Sequence, residues 1–113
     1  MDYRHRTWIE LNSKALKYNI NKIRGGLGKK TKLFAVVKSN AYGHGLLNFS
    51  SMAQRVGIDG FCVDSAIEGL RLRENNFQEP IIVLGATLPS LFQSAQKNHL
   101  TITISNWEFL KVL

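Results

Sequence analysis

The 113-residue chain has one cysteine, Cys62, so it can form no internal disulfide. A lone thiol suits a reducing compartment, and a cytoplasmic protein is expected. No apolar run comes near the ~20 residues that cross a bilayer. The opening Met1-Asp2-Tyr3-Arg4-His5-Arg6 is not followed by an apolar signal region. Acidic residues are scarce, 8 against 15 lysines and arginines, and the net charge is +7. That excess would invite nucleic acid if a recognition motif accompanied it, and none does. The basic residues are scattered, and only Arg4-His5-Arg6 and Lys29-Lys30-Thr31-Lys32 are locally dense. A surface that attracts small anions is the milder reading. His5, His44 and His99 are too dispersed for a metal site, and Cys62 has no ligand at metal spacing. Asp59, Asp64 and Glu68 form no pair with acid–base spacing. No linker or shift of composition divides the chain.

What is present is an alternation. With 44% of its residues hydrophobic, the chain can build one core. Thr7–Leu11 alternates like a short strand. Asn12 or Ser13 can cap a helix with Leu16, Ile20, Ile23 and Leu27 on one face, which Gly25, Gly26 and Gly28 end. The run 32–37 is apolar on successive residues, as in a parallel strand covered on both faces. A helix over 47–56, with Phe49, Met52, Ala53 and Val56 on one side, leads to a strand at 60–63. Ser65-Ala66-Ile67-Glu68 reads as a capping box, opening a helix with Ile67, Leu70 and Leu72 inward. A strand at 81–84, a helix started by Thr87 and Pro89, and a strand at 100–104 follow. Ser105-Asn106-Trp107-Glu108 is a second capping box, and its helix meets no stop signal before Leu113.

Short connections and a repeated strand–helix order mean parallel α/β. Two architectures fit: an open doubly wound sheet, complete at this size, or the first half of a TIM-type (β/α)8 barrel, truncated. The helix at the C-terminus, left without a stop signal, favours the fragment.

The most specific stretch is Val36-Val37-Lys38-Ser39-Asn40-Ala41-Tyr42-Gly43-His44-Gly45. A lysine ending an apolar strand is a candidate amine nucleophile, although such a lysine often only reaches into solvent. The Gly-His-Gly loop behind it lets backbone N–H groups approach an anion. An amine beside an anion site suits pyridoxal 5'-phosphate, which carries an aldehyde and a phosphate on one ring. His44 is open to two readings, a general base or a hydrogen-bonded turn residue, and the second is favoured. Asn40 is read as closing the loop.

This stretch resembles the cofactor-attachment signature of the alanine racemase family: valine, any residue, lysine, a small residue, Asn or Asp, then Ala-Tyr-Gly-His-Gly. Only Ser39 stands where alanine is commoner. Arg6–Leu11, Gly57-Ile58-Asp59-Gly60-Phe61, Ser65–Gly69 with Leu72-Arg73, and Pro80–Gly85 are similar to further parts of the family pattern. The resemblance implies that residues 1–113 are the N-terminal portion of the barrel domain of a fold-type III pyridoxal-phosphate enzyme. Lys38 would hold the cofactor and act as a base or acid at the α-carbon of a substrate amino acid. Tyr42 would hydrogen-bond the phosphate. Val36 and Leu84 would line the pocket, with plain barrel core an equal alternative. A tyrosine from the partner subunit of a homodimer would work on the opposite face. The implied activity is interconversion of L- and D-alanine for peptidoglycan synthesis. Racemisation of serine or basic amino acids, a non-catalytic cofactor-binding protein, and a small α/β protein without cofactor are the alternatives. The family's remaining site residues fall beyond Leu113, so this chain alone is expected to be inactive.

Overall fold

A computed structural model describes residues 6–113; Met1–His5, and with them most of the Arg4-His5-Arg6 cluster, lie outside the described residues. The elements run α1 (Ser13–Gly25), β1 (Phe34–Val36), α2 (Lys38–Tyr42), α3 (Leu46–Val56), β2 (Gly60–Val63), α4 (Ala66–Glu74) and β3 (Ile81–Ala86). A 3-10 turn (Pro89–Leu91), α5 (Phe92–Lys97), β4 (Leu100–Thr103) and α6 (Trp107–Lys111) complete the chain.

The four strands form one sheet in the order β1-β2-β3-β4, every pair parallel. A doubly wound sheet reverses its strand order and carries helices on both faces. Here the order never reverses. The register puts Phe61, Val63, Ile81, Val83 and Leu100 on one face, where all are buried beneath the helices. Val36 and Leu84 lie on the other face and are about 40% exposed. Sequential parallel strands with helices on one side are successive units of a barrel. The strand at 32–37, expected to be covered on both sides, is therefore covered on one.

Packing follows from small residues at the contacts. A side chain on Gly69 would press within 3.0 Å of Leu100, so glycine lets α4 lie close against β3 and β4. A side chain on Gly60 would meet the ring of Phe34 at 2.6 Å, so that ring lies over the start of β2. Phe61 and Phe77 meet edge to face with centroids 5.5 Å apart. Arg73 ties the bottom of the sheet together. Its guanidinium donates to the carbonyls of Asn98, Phe77, Glu79 and His99. Burial lowers its pKa from the usual arginine value, and the charge of Glu79 opposes that shift.

Several local expectations change. Thr7–Leu11 pairs with no strand among the described residues, and Trp8 and Ile9 are exposed. Ile67 is exposed, and α4 instead buries Ala66, Gly69 and Leu72, the stripe that meets the sheet. The last helix is capped one residue later than expected: Asn106, not Ser105, accepts from the amide of Phe109. Of the two cap candidates for α1, Asn12 is the one used, accepting from Ala15.

Candidate functional site

The C-terminal edge of the sheet gathers the groups with chemistry. β1 enters it under restraint from Asp59, whose carboxylate accepts from the Leu33 amide at 2.7 Å and from Arg24 at 2.9 Å. Lys32 stands 3.7 Å away. The Leu33 amide first, and Arg24 next, hold the Asp59 carboxyl below the usual carboxylate range against a smaller cost of burial. Arg24 also donates to the Gly57 carbonyl. These contacts join α1, β1 and the approach to β2, so Asp59 is an anchor for the strand that carries Lys38.

At the other end of β1, the amide of the fully buried Val37 donates to Cys62 on β2, and the chain then leaves the extended form. Sequence reading treats the stretch after Lys38 as a loop. Instead it winds into one turn of left-handed helix. Ser39, Asn40, Ala41 and Tyr42 have φ of 52°, 56°, 54° and 53°. Left-handed backbone costs a residue with a side chain about 1–2 kcal/mol, and a run of four is rarer than any one of them. Local bonds hold it in place. The Ala41 amide donates to Val37, and the Asn40 carbonyl accepts from Gly43 and Gly45. The Asn40 side chain accepts from Leu46 at 2.9 Å, so this residue fastens the turn to the start of α3. Gly43 and Gly45 have φ of 90° and 91°, and the turn could not exit this way through side-chain-bearing residues without strain. His44 Nδ1 lies 2.8 Å from the Ala41 carbonyl, and its ring packs on Phe49. This is a turn-bracing role.

Lys38 sits half-buried at the head of this turn, and Tyr42 at its end is 61% exposed. Val36 aligns with Cys62, and Cys62 with Ile82. Leu84, two residues beyond Ile82, therefore shares the helix-free face with Val36. Cys62 is buried in that row, and burial pushes its thiol pKa up, as for an apolar filler rather than a nucleophile. At the ends of β2 and β3, Gly85 donates to the Asp64 carbonyl at 2.9 Å. A side chain on Gly85 would stand 2.5 Å from that oxygen, so the two strand ends can close only with glycine there.

Sequence reasoning assigns Glu68 to a capping box, and half of that box forms. Ser65 Oγ accepts from the Glu68 amide at 3.3 Å. The Glu68 carboxylate does not return to Ser65; it accepts from the amides of Asp64 and Ser39, each at 2.8 Å. The sequence signature of a box is the same in either case, so this cross-strand bond leaves no separate trace in the sequence.

Residues 11–113 match the family model described as "Alanine racemase, N-terminal domain". The chain is 42% identical over 108 residues to the alanine racemase of Listeria monocytogenes, covering 95% of this chain. It is 42% identical over 110 residues to that of Latilactobacillus sakei, covering 96%. In each case it spans 29% of the relative's length. Among solved structures, alanine racemase from Bacillus anthracis with bound L-Ala-P superposes at a TM-score of 0.91 with 30% identity, over 98% of this chain and 29% of that one. A histidine racemase from Leuconostoc mesenteroides superposes at 0.81 with 31% identity, over 88% of this chain and 27% of that one.

Proposed function

The chain belongs to the alanine racemase family, and we propose that it supplies the lysine-bearing part of a pyridoxal-phosphate-dependent racemase that interconverts L- and D-alanine. The single observation that carries the proposal is the placement of Lys38. It is half-buried at the C-terminal end of a barrel strand, the end where barrel enzymes keep their reacting groups, at the head of a turn whose strained form is held by bonds from three sides.

The residues around Lys38 suit the cofactor class that the family uses. Lys38 offers an amine, Tyr42 an exposed phenol that can donate to a phosphate oxygen, and Val36 and Leu84 apolar surface on the helix-free face. Pyridoxal phosphate, when bound, supplies an aldehyde that a lysine amine can join and a ring that draws electrons from the α-carbon. In this proposal Lys38 holds that aldehyde and, once released, moves a proton at its Nζ on one face of the α-carbon. Tyr42 fixes the phosphate end and so the distance to the amine. Asn40 and His44 keep the turn closed, and neither touches the reacting atoms.

The chain spans under a third of the length of its curated relatives, and racemisation needs a second group on the opposite face of the α-carbon. We assign that group, the substrate-carboxylate contact and a shared site between two subunits to the portion of the protein beyond the residues matched here. The whole protein is then a cytoplasmic homodimer supplying D-alanine for peptidoglycan. A second reading, racemisation of a basic amino acid, draws on the likeness to the histidine racemase.

The test is spectroscopic and needs no turnover. Mixing the chain with pyridoxal 5'-phosphate should raise a visible absorption band that Lys38→Ala removes and Lys32→Ala leaves in place. A band indifferent to Lys38→Ala would sink the proposal. Production of D-alanine is expected only when the remainder of a matched relative is co-expressed.

A further inference from the structure

The carboxylate of Glu68 links the two strand ends that frame Lys38. One oxygen accepts from Ser39, the residue immediately after Lys38, and the other from Asp64, the residue immediately after β2. Both distances are 2.8 Å, in the range of charge-assisted bonds, which are about twice as strong as neutral ones.

The Ser39 amide is a vulnerable point in the left-handed turn. The first N–H groups of any helical turn have no partner inside it. Ala41 is the first residue of this turn to donate back, to Val37. No side chain caps the turn before Ser39, because its N-cap residue is Val37. Glu68 reaches across from α4 to satisfy that amide. The bond acts on Lys38 directly, because the Ser39 N–H belongs to the planar peptide unit that begins at the Lys38 carbonyl. Fixing the direction of that N–H fixes the plane, and with it the backbone from which the lysine side chain departs.

We propose that Glu68 is a positioning residue for Lys38. It holds the Lys38–Ser39 peptide in the left-handed turn and registers it to the end of β2, so that the amine leaves the strand in one direction. An ordinary helix cap would return its carboxylate to Ser65 and leave Ser39 untouched. The inference rests on the reading of Lys38 as the cofactor lysine.

The experiment compares the wild-type chain with Glu68→Gln and Glu68→Ala. Two quantities are read: the rate at which pyridoxal 5'-phosphate raises the Lys38-dependent band, and amide hydrogen exchange at Ser39, Asp64, Val63 and Val83. Glutamine keeps the size of the side chain and one acceptor oxygen but loses the charge. Exchange at Ser39 should accelerate about tenfold in Glu68→Gln and further in Glu68→Ala, with Val63 and Val83 still protected. The band should grow slower by about fivefold to tenfold. Faster exchange at Ser39 with band growth unchanged would overturn the inference, and so would unchanged exchange at Ser39. Loss of protection at Val63 in both variants would make Glu68 a residue of the fold and would also overturn it. A wild-type band that survives Lys38→Ala defeats the cofactor reading itself, and the positioning claim falls with it. A band that Lys38 controls and Glu68 does not defeats the positioning claim alone.

Discussion

After β1 the chain winds left-handed through four consecutive residues with side chains, Ser39 to Tyr42. After β2 it passes through an extended Ser65, with φ of −124° and ψ of 156°, into the right-handed helix α4. Both junctions lie at the same edge of the same sheet, and they are joined through Glu68. The second obeys local preference throughout. Serine caps the helix, an acidic residue follows in its first turn, and Leu72 is fully buried against the core. The first defies local preference and is kept in shape by bonds within and beside the turn and by one from Glu68 on α4. Strain of that kind persists only where surrounding structure imposes it, and such places cluster at functional sites. The difference marks the first junction, which carries Lys38, as the place where local stability is given up.

The largest effect should come from the junction that follows the rules. Leu72→Ala empties a fully buried site under the sheet and is expected to cost about 2–5 kcal/mol in denaturant unfolding. A cost below about 1 kcal/mol would mean that α4 does not anchor the second junction. A smaller pair of changes tests the contrast itself. Ser65→Ala removes an ordinary cap and should destabilise by about 1 kcal/mol. Ser39→Gly keeps the amide that Glu68 holds and relieves a left-handed residue, so it should stabilise by about 0.5–1 kcal/mol. Two serines at equivalent junctions would then respond with opposite signs. Equal signs would erase the distinction between them.

These sites also show what the sequence could reveal. Element order, parallel class and the barrel were legible, because apolar runs, caps and turn glycines follow local rules with fixed periods. The family was legible in the signature around Lys38 for a similar reason, since nearly every position in it is specified. The left-handed path of Ser39–Tyr42 was not legible. Serine, alanine and tyrosine have no preference for that conformation, and among the bonds that impose it are those in which the Asn40 side chain accepts from the Leu46 amide and the Glu68 carboxylate, on another helix, accepts from the Ser39 amide. The strand expected at Thr7–Leu11 failed for a related reason. Alternation gives a segment the capacity to pair but supplies no partner. Ile67 was misplaced because α4 turns a stripe of small residues, Ala66 and Gly69, toward the sheet, and hydrophobicity alone ranks them below isoleucine.

The smallest effect concerns the entry to β1 and is read through pH. Because the Asp59 carboxyl is held below its unfolded value of about 3.9, the stability it contributes is present above that pH. It is lost as pH falls through the lower, folded value. Asp59→Asn should therefore flatten the acid side of the stability profile and leave the neutral-to-alkaline side parallel to wild type. An unchanged acid limb would show that the anchor for β1 lies elsewhere.

The most direct measurement is reductive labelling. The chain is incubated with pyridoxal 5'-phosphate, reduced with borohydride, digested, and the modified peptide is identified by mass. One adduct on Lys38 is expected, with Lys14, Lys17, Lys29 and the other lysines unmodified at equal cofactor. Adducts spread across the surface lysines, or none on Lys38, would contradict the assignment of the first junction as the cofactor site.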